Sequence, residues 1–138
     1  MRVVLVSTLA LTRAGIASAN GLAGSRLMTT SQSVPEVPVA QVPSDGWLLD
    51  VREPDEWEAG HAPGAVHIPL GDLGERSSQV PSDQTVYVIC RSGHRSGRAT
   101  EALNNAGWQA VNVAGGMQRW AAEGRPMVTD TGQIPRVA

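Results

Sequence analysis

The sequence predicts an α/β domain in three layers, with a parallel β-sheet between two layers of helices. Short apolar runs of strand length alternate along the chain with segments of helical spacing, a pattern typical of a parallel sheet covered on both faces. The strongest strand signal is TVYVI at 85–89, which is dense in β-branched and aromatic residues. With 138 residues, of which 41% are hydrophobic, the chain has room for one such domain.

The first elements are two strands and a helix. Around Val37 to Val42, prolines on both sides leave room only for a short edge strand. Trp47 to Val51, WLLDV, is an apolar run of strand length. The next residues, EPDEW at 53–57, place a proline and acidic side chains in the first turn of a helix, where both are favoured.

The middle of the chain adds two more strands. Ala65 to Ile68, AVHI, predicts a brief strand, and Leu70 and Leu73 predict one or two helical turns after it. A polar loop follows at 77–83, before the strand at 85–89.

Two helices with a strand between them complete the domain. The first helix shows one apolar face, formed at i, i+3, i+4 and i+7 by Ala99, Ala102, Leu103 and Ala106. After Gly107, Trp108 to Val113 predicts the last strand. Met117, Trp120 and Ala121 repeat the helical spacing before Gly124 and Pro126 end that helix. The Gly115-Gly116 pair predicts a tight strand-to-helix turn, since no lysine or third glycine follows at the spacing of a nucleotide site.

The two ends of the chain differ from the domain between them. We expect a leader at 1–33, the domain at 34–127 and a C-terminal tail at 128–138. In the leader, the apolar run Val3 to Leu11 is too short to span a bilayer. Three interpretations stay open: a start assigned too early, with Met28 as the functional start; a disordered leader; or a weak signal peptide over residues 1–19. The first two place the protein in the cytoplasm, and the third predicts export.

Composition excludes several classes of function. The net charge is −2 and no lysine or arginine run exceeds two residues, so neither nucleic acid nor a membrane is an expected partner. One cysteine and three scattered histidines provide neither a disulfide framework nor a structural zinc site. We expect no metal and no cofactor.

Cys90, the single cysteine, ends the strand at 85–89 and precedes the stretch RSGHRSGR. Strands of a parallel sheet end at the crevice where ligands bind, and the N–H groups of the following loop and helix can converge there on an anion. The helix dipole and the arginines, Arg91, Arg95 and Arg98, are expected to lower the pKa of the thiol. The alternative is a buried cysteine that only fills the core. The clustering of arginine, serine and glycine after the thiol favours chemistry.

Three stretches resemble the rhodanese family of sulfurtransferases, over roughly Pro35 to Pro126. They are DVREPDEWEAGHAPGAVHIP at 50–69, VICRSGHRS at 88–96 and VNVAGGMQRWAAEGRP at 111–126. The loop Cys90 to Arg95 is similar to the family's C-R-x-G-x-R type of active-site loop. The resemblance implies a five-stranded parallel sheet and a catalytic cysteine that carries sulfur as a persulfide.

The resemblance also implies roles for individual residues. Cys90 would take the outer sulfur of thiosulfate and pass it to cyanide or a thiol. Substrate contacts are expected from the loop, namely Arg91, Ser92, Gly93, His94, Arg95 and Ser96, although His94 could equally be a solvated side chain. Asp50 and Arg52 are expected to support the site, where Asp50 could orient the Cys90 loop, cap the helix at Pro54 or pair with an arginine. Glu56, Trp57 and His61 are expected to be structural.

Three alternative functions are considered. A cysteine phosphatase or arsenate reductase needs five residues between its cysteine and arginine, whereas here Ser96 holds that position and the loop is one residue short. A non-catalytic interaction module would not need an activated thiol. A persulfide carrier, fed by a sulfur-relay protein partner, would use the same residues as the enzyme, so the sequence does not separate the two.

Overall fold

The structure is a computed structural model that describes residues 33–138, and the predicted leader lies outside them apart from Ser33. Within these residues there are five strands: β1 Glu36–Pro38, β2 Trp47–Asp50, β3 Val66–His67, β4 Thr85–Ile89 and β5 Gln109–Ala114. The four α-helices of the described part are α1 Pro54–Ala59, α2 Leu73–Arg76, α3 His94–Asn105 and α4 Gly116–Ala122. Short 3₁₀ turns occupy Val39–Gln41, Leu70–Asp72 and Ser77–Gln79.

The strands form one parallel sheet in the order β1-β5-β4-β2-β3. This confirms the predicted five-stranded parallel sheet and its α/β class. In register, Asp50 of β2 lies beside Ile89 of β4, and Val88 of β4 lies beside Asn112 of β5. The carboxyl ends of β2 and β4 therefore meet at one edge of the sheet, and Cys90 follows directly at that edge.

Both faces of the sheet are covered, as predicted. Because successive side chains of a strand point to opposite faces, Val86 and Val88 of β4 belong to one apolar cluster and Ile89 to the other. The first cluster includes Leu73 of α2 and Ala99 and Leu103 of α3. The second includes Met117 and Trp120 of α4.

Several element bounds differ from those predicted. β1 ends at Pro38 and the chain turns through Val39–Gln41, so the predicted edge strand is shorter than the segment 37–42. Proline has no N–H to extend a ladder, which accounts for the early end. The segment 77–83, predicted as a loop, begins with a 3₁₀ turn.

The C-terminal segment returns to the domain after α4. Val128 and His61 exchange two backbone hydrogen bonds, with N···O distances of 3.0 and 2.8 Å. Farther along, the N–H of Arg136 donates to the carbonyl of Ala59 at 2.9 Å. Within residues 33–138 no helix has the length and apolar character needed to cross a bilayer.

Candidate active site

The Cys90 side chain lies at the end of β4, buried beneath the loop that follows it, with 0% of the residue exposed. Its sulfur accepts a hydrogen bond from the N–H of Gly93 at 3.1 Å and lies 3.2 Å from the hydroxyl oxygen of Ser96. Gly93 precedes the first residue of α3 and has φ +105°, a left-handed conformation that favours glycine. The tight turn at Gly93 brings the start of α3 back over the sulfur.

These contacts favour the thiolate. Burial raises the pKa of the Cys90 thiol, but hydrogen bonds from the Ser96 hydroxyl and from the N–H groups of Ser96, Gly93 and Ser92 outweigh burial, and the pKa lies below its ordinary value. A thiol with a lowered pKa is a better candidate nucleophile than one that only fills a core.

The first turn of α4 holds the backbone of the same loop. The N–H of Met117 donates to the carbonyl of Cys90 at 2.8 Å, and the N–H of Gln118 donates to the carbonyl of Arg91 at 3.0 Å. Gly116 makes this approach possible, because a Cβ there would lie 2.7 Å from backbone atoms of Arg91. The sequence predicted the turn at 115–116 but not that it contacts the Cys90 loop.

Arg95 forms an ion pair with a carboxylate of α1. Its guanidinium makes two hydrogen bonds to the Glu56 carboxylate, at 2.7 and 2.8 Å. The Glu56 carboxylate also accepts the backbone N–H of Glu53 at 3.0 Å, as part of a capping box at the start of α1. The hydrogen bonds from Arg95 lower the pKa of Glu56 from 4.5 to about 2, against the opposing effect of burial. Glu56 was expected to be structural, and its structural partner is a residue of the active-site loop.

The other loop residues lie nearer to solvent. Arg91, Ser92 and His94 are less buried than Cys90, and the Arg91 side chain donates to the carbonyl oxygen of Ala138 at 3.0 Å. An open depression of about 510 Å³ borders this side of the loop. It is lined by residues of the loop, α3, β5 and the start of the domain, including Ser92, Gly93, His94, Arg98, Glu36 and Asn112.

Asp50 and Arg52 form a fully buried ion pair at the end of β2. The Arg52 side chain donates to both Asp50 carboxylate oxygens, and its closest N···O distance is 2.8 Å. The same guanidinium donates to the carbonyl of Gly60 at 2.8 Å. Of the three roles considered for Asp50, the structure shows pairing with an arginine, and Glu53 instead of Asp50 caps α1.

Asn112 of β5 contacts two residues of the candidate site, Ser96 and Gly93, and the sequence analysis missed it. Its side chain is buried, with the residue 3% exposed, and its Oδ1 lies 2.6 Å from the Ser96 hydroxyl oxygen. The signal in the sequence was a polar residue within the apolar strand VNVA at 111–114. The local pattern gave no indication of what that side chain would contact.

Within residues 33–138, no group of three or more histidine, cysteine or acidic side chains is arranged to hold a metal ion. What the site offers is one sulfur, several hydrogen-bond donors directed at it and an ion pair beside it. Such an arrangement can stabilise an anion on the sulfur or on an atom bonded to it.

Comparison with known proteins supports the same fold. The family model described as a rhodanese-like domain matches residues 37–123. A solved structure of a rhodanese-related protein from Thermoplasma volcanium is similar to this chain with a TM-score of 0.66 and 34% sequence identity, covering 70% of this chain and 99% of that one.

Two relatives from Bacillus subtilis (strain 168) have names that concern sulfur. YrkF, named as a candidate sulfur carrier protein, is 37% identical over 107 residues, which cover 72% of this chain and 58% of YrkF. YtwF, named as a candidate sulfurtransferase, is 42% identical over 80 residues, which cover 58% of this chain and 78% of YtwF. The chain thus spans less than two thirds of YrkF and more than two thirds of YtwF.

Proposed function

The chain belongs to the rhodanese-like domain family, and on that premise we propose that it is a sulfurtransferase which moves sulfane sulfur from thiosulfate to a thiol or cyanide through a persulfide on Cys90. The observation that carries this proposal is the Cys90 sulfur itself, which receives hydrogen bonds from the loop and has a lowered pKa. The names of the two Bacillus relatives support sulfur transfer as the class of reaction.

In the first half of the cycle, the Cys90 thiolate attacks the outer sulfur of thiosulfate. A sulfur–sulfur bond forms to Cys90 while the bond within thiosulfate breaks, and sulfite leaves with the electron pair. The new terminal sulfur extends about 2 Å beyond Sγ and carries the negative charge. Loop N–H groups, among them that of Gly93, would then stabilise this charge.

In the second half, cyanide or a thiolate acceptor attacks the terminal sulfur, and Cys90 leaves as a thiolate. Sulfite leaves before the acceptor binds, so the kinetics are ping-pong. Arg91 is the exposed loop cation that would attract the sulfonate end of thiosulfate, and Arg95 supports the site through its pair with Glu56. Ser92, His94 and Ser96 complete the proposed set of contacts. No cofactor takes part.

A second form of the proposal concerns the source of the sulfur. In a relay, a partner protein would load Cys90 directly and thiosulfate would play no part; the name of YrkF favours such a carrier. Both forms use a reduced thiol, which fits a cytoplasmic location, because that compartment keeps thiols reduced.

Intact-mass measurement after mixing with thiosulfate tests the proposal. We expect the chain to gain the mass of one sulfur atom, and a reducing thiol to reverse the gain. Because Cys90 is the only cysteine, Cys90→Ser removes the gain and all thiosulfate:cyanide turnover while the protein still folds. Ser78→Ala, which removes an exposed hydroxyl outside the active-site loop, is the control and should still gain sulfur.

The outcomes separate the two forms. Sulfur uptake from thiosulfate supports the free-standing enzyme. Uptake only from a persulfide donor supports the carrier and rules out thiosulfate as the substrate. Turnover that survives in Cys90→Ser would overturn the mechanism.

A further inference from the structure

The Ser96 hydroxyl lies between two hydrogen-bond acceptors. Its oxygen is 3.2 Å from the Cys90 sulfur and 2.6 Å from Oδ1 of Asn112. A hydroxyl has one proton and can donate it to only one acceptor at a time. When Cys90 is ionised, the sulfur and the Asn112 oxygen therefore compete for the same proton.

The orientation of the Asn112 amide is fixed by its other contacts. Its Nδ2 donates to the carbonyl of Gly93 and to the Glu36 carboxylate, both at 3.1 Å. Both of these partners can only accept, so the amide nitrogen must face them and Oδ1 must face Ser96. Glu36 reaches Asn112 because the two residues are paired in the register of β1 with β5.

The ionisation state of Cys90 decides whether Cys90, Ser96 and Asn112 can all form their hydrogen bonds at once. With a neutral thiol, S–H can donate to the Ser96 oxygen while the Ser96 proton goes to Asn112, and all groups are satisfied. With a thiolate, either the sulfur loses the Ser96 proton or the buried Asn112 oxygen is left without a donor. The presence of Asn112 thus disfavours the free thiolate.

A persulfide changes this balance, because the negative charge moves to the terminal sulfur. Sγ is then bonded to carbon and sulfur, is neutral, and accepts hydrogen bonds only weakly. The Ser96 hydroxyl can therefore donate to Asn112 without taking a hydrogen bond away from a charged sulfur. The loaded form satisfies Asn112, whereas the empty thiolate does not.

We propose that Asn112 is a positioning residue of the sulfur-transfer reaction, whose Oδ1 competes with the Cys90 sulfur for the Ser96 proton and so favours the sulfur-loaded form over the free thiolate. The part of this inference that concerns the loaded form rests on the function proposed above. The competition for the proton concerns Cys90 alone and can be measured without any sulfur donor.

Charged groups of the Cys90 loop and of the neighbouring elements stay the same in the variants below. They are Arg91 and Arg95 of the loop and α3, Glu56 of α1, the Asp50–Arg52 pair at the end of β2, and Glu36 of β1. A change in the titration of Cys90 on substituting Asn112 alone is therefore not due to a change in the number of these charges.

Asn112→Leu is a suitable variant, because it approximately keeps the side-chain volume and leaves each former partner another contact. The carbonyl of Gly93 also accepts the N–H of Gly97 at 3.1 Å, and Glu36 is exposed to water. Asn104→Leu is the matched control: Asn104 likewise joins α3 to β5, through two hydrogen bonds to the backbone of Ala110, but it does not contact the sulfur site.

The first measurement is the pH dependence of Cys90 alkylation by iodoacetamide, which reports the pKa of a single cysteine. We expect Asn112→Leu to lower the pKa of Cys90 by about 0.5 to 1 pH unit, the effect of one hydrogen bond. Ser96→Ala should raise the pKa, and Asn104→Leu should leave it unchanged. In the Ser96→Ala background, Asn112→Leu should have no further effect on the pKa.

The second measurement is the loaded fraction at equilibrium with thiosulfate and sulfite, read by intact mass at a pH above the pKa of Cys90. There the empty form is the thiolate, and we expect Asn112→Leu to reduce the ratio of loaded to empty Cys90 by about three- to tenfold, which corresponds to the expected shift of the pKa. If Asn112→Leu leaves the pKa of Cys90 unchanged or raises it, Asn112 does not compete for the Ser96 proton. The same holds if Asn112→Leu lowers the pKa equally in the Ser96→Ala background. A lowered pKa with an unchanged loaded fraction would overturn the preference for the loaded form.

If the unaltered protein takes up no sulfur, the proposed function fails. The alkylation profiles alone then still decide whether Asn112 competes for the Ser96 proton.

Discussion

Arg95 illustrates how a single residue of the candidate site depends on a distant one. It lies 39 residues from Glu56 in the chain, yet its guanidinium makes two short hydrogen bonds to that carboxylate. The pair joins the start of α3 to α1 beside the sulfur. Part of the positive charge that the sequence places near Cys90 is therefore balanced by Glu56, and hydrogen bonds from the loop and Ser96 account for the lowered pKa of the thiol.

The Glu56–Arg95 pair predicts a loss of stability in acid. The pKa of Glu56 falls from 4.5 to about 2 on folding, so its contribution is complete above about pH 4.5 and disappears as the pH falls towards 2. Because solvent screens this partly exposed pair, we expect it to contribute about 1–2 kcal/mol. Urea unfolding at a series of pH values should show Glu56→Gln to be less stable than the unaltered protein at pH 7 and nearly equal to it near pH 2.

Glu58→Gln is the control for that experiment, since Glu58 is an exposed carboxylate of the same helix. It should change the free energy of unfolding little at any pH. If the free energy of unfolding falls equally in acid for the unaltered protein and for Glu56→Gln, the Glu56–Arg95 pair does not cause the fall.

At the scale of whole elements, the short helix α4 organises the site through its backbone. Two N–H groups of its first turn donate to the carbonyls of Cys90 and Arg91. This contact needs the backbone of Gly116 close to the loop and φ values of +83° and +57° at Gly115 and Gly116. The glycine pair is therefore needed for the contact between the first turn of α4 and the Cys90 loop as well as for the local turn.

Gly116→Ala should displace the loop that follows Cys90. The added Cβ would lie 2.7 Å from backbone atoms of Arg91, so we expect a loss of about 2–4 kcal/mol in the free energy of unfolding and a raised pKa of Cys90. Gly124→Ala is the matched control, because Gly124 also has positive φ, at +75°, but a Cβ added there would have no atom within 4 Å. It should cost only about 1–2 kcal/mol and leave the pKa of Cys90 unchanged. Equal effects of the two substitutions would argue against a role for the close contact.

At the scale of the whole molecule, the segment after α4 adds to the packing of the domain. Val137 and Met127 pack against the apolar cluster that contains Met117 and Trp120. A Cβ at Gly60 would come within 2.8 Å of the backbone of Arg136, so the absence of a side chain at 60 lets the segment pass close to the end of α1. Residues Val34–Ala138 form one compact unit that includes this segment.

Two truncations test the division of the chain. Removal of residues 129–138 takes away the contacts of Val137 and the hydrogen bond to Ala59, and we expect it to lower the free energy of unfolding by about 1–2 kcal/mol. Removal of residues 1–32 should leave that free energy unchanged, because the part of the chain from 33 to 138 builds both apolar clusters with residues after 36. Urea unfolding of the two shortened chains checks both expectations, and the opposite order of stabilities would contradict them.

The sequence by itself determined the local structure and the place of the thiol. Strand-length apolar runs, helical spacing and glycine or proline at helix ends act over a few residues, so the strand at 85–89, the helix after it and the position of Cys90 between them follow from neighbouring residues alone. The early end of β1 at Pro38 was less predictable, since the short segment allowed either a longer strand or a turn.

Only the tertiary structure decided which side chains meet at the sulfur. Asn112 reaches Ser96 across 16 residues, Arg95 reaches Glu56 across 39, and Asn112 reaches Glu36 across 76. These contacts depend on the strand order β1-β5-β4-β2-β3, in which elements far apart in the chain become neighbours. No local pattern encodes that order, because it results from the packing of the whole sheet and its helices.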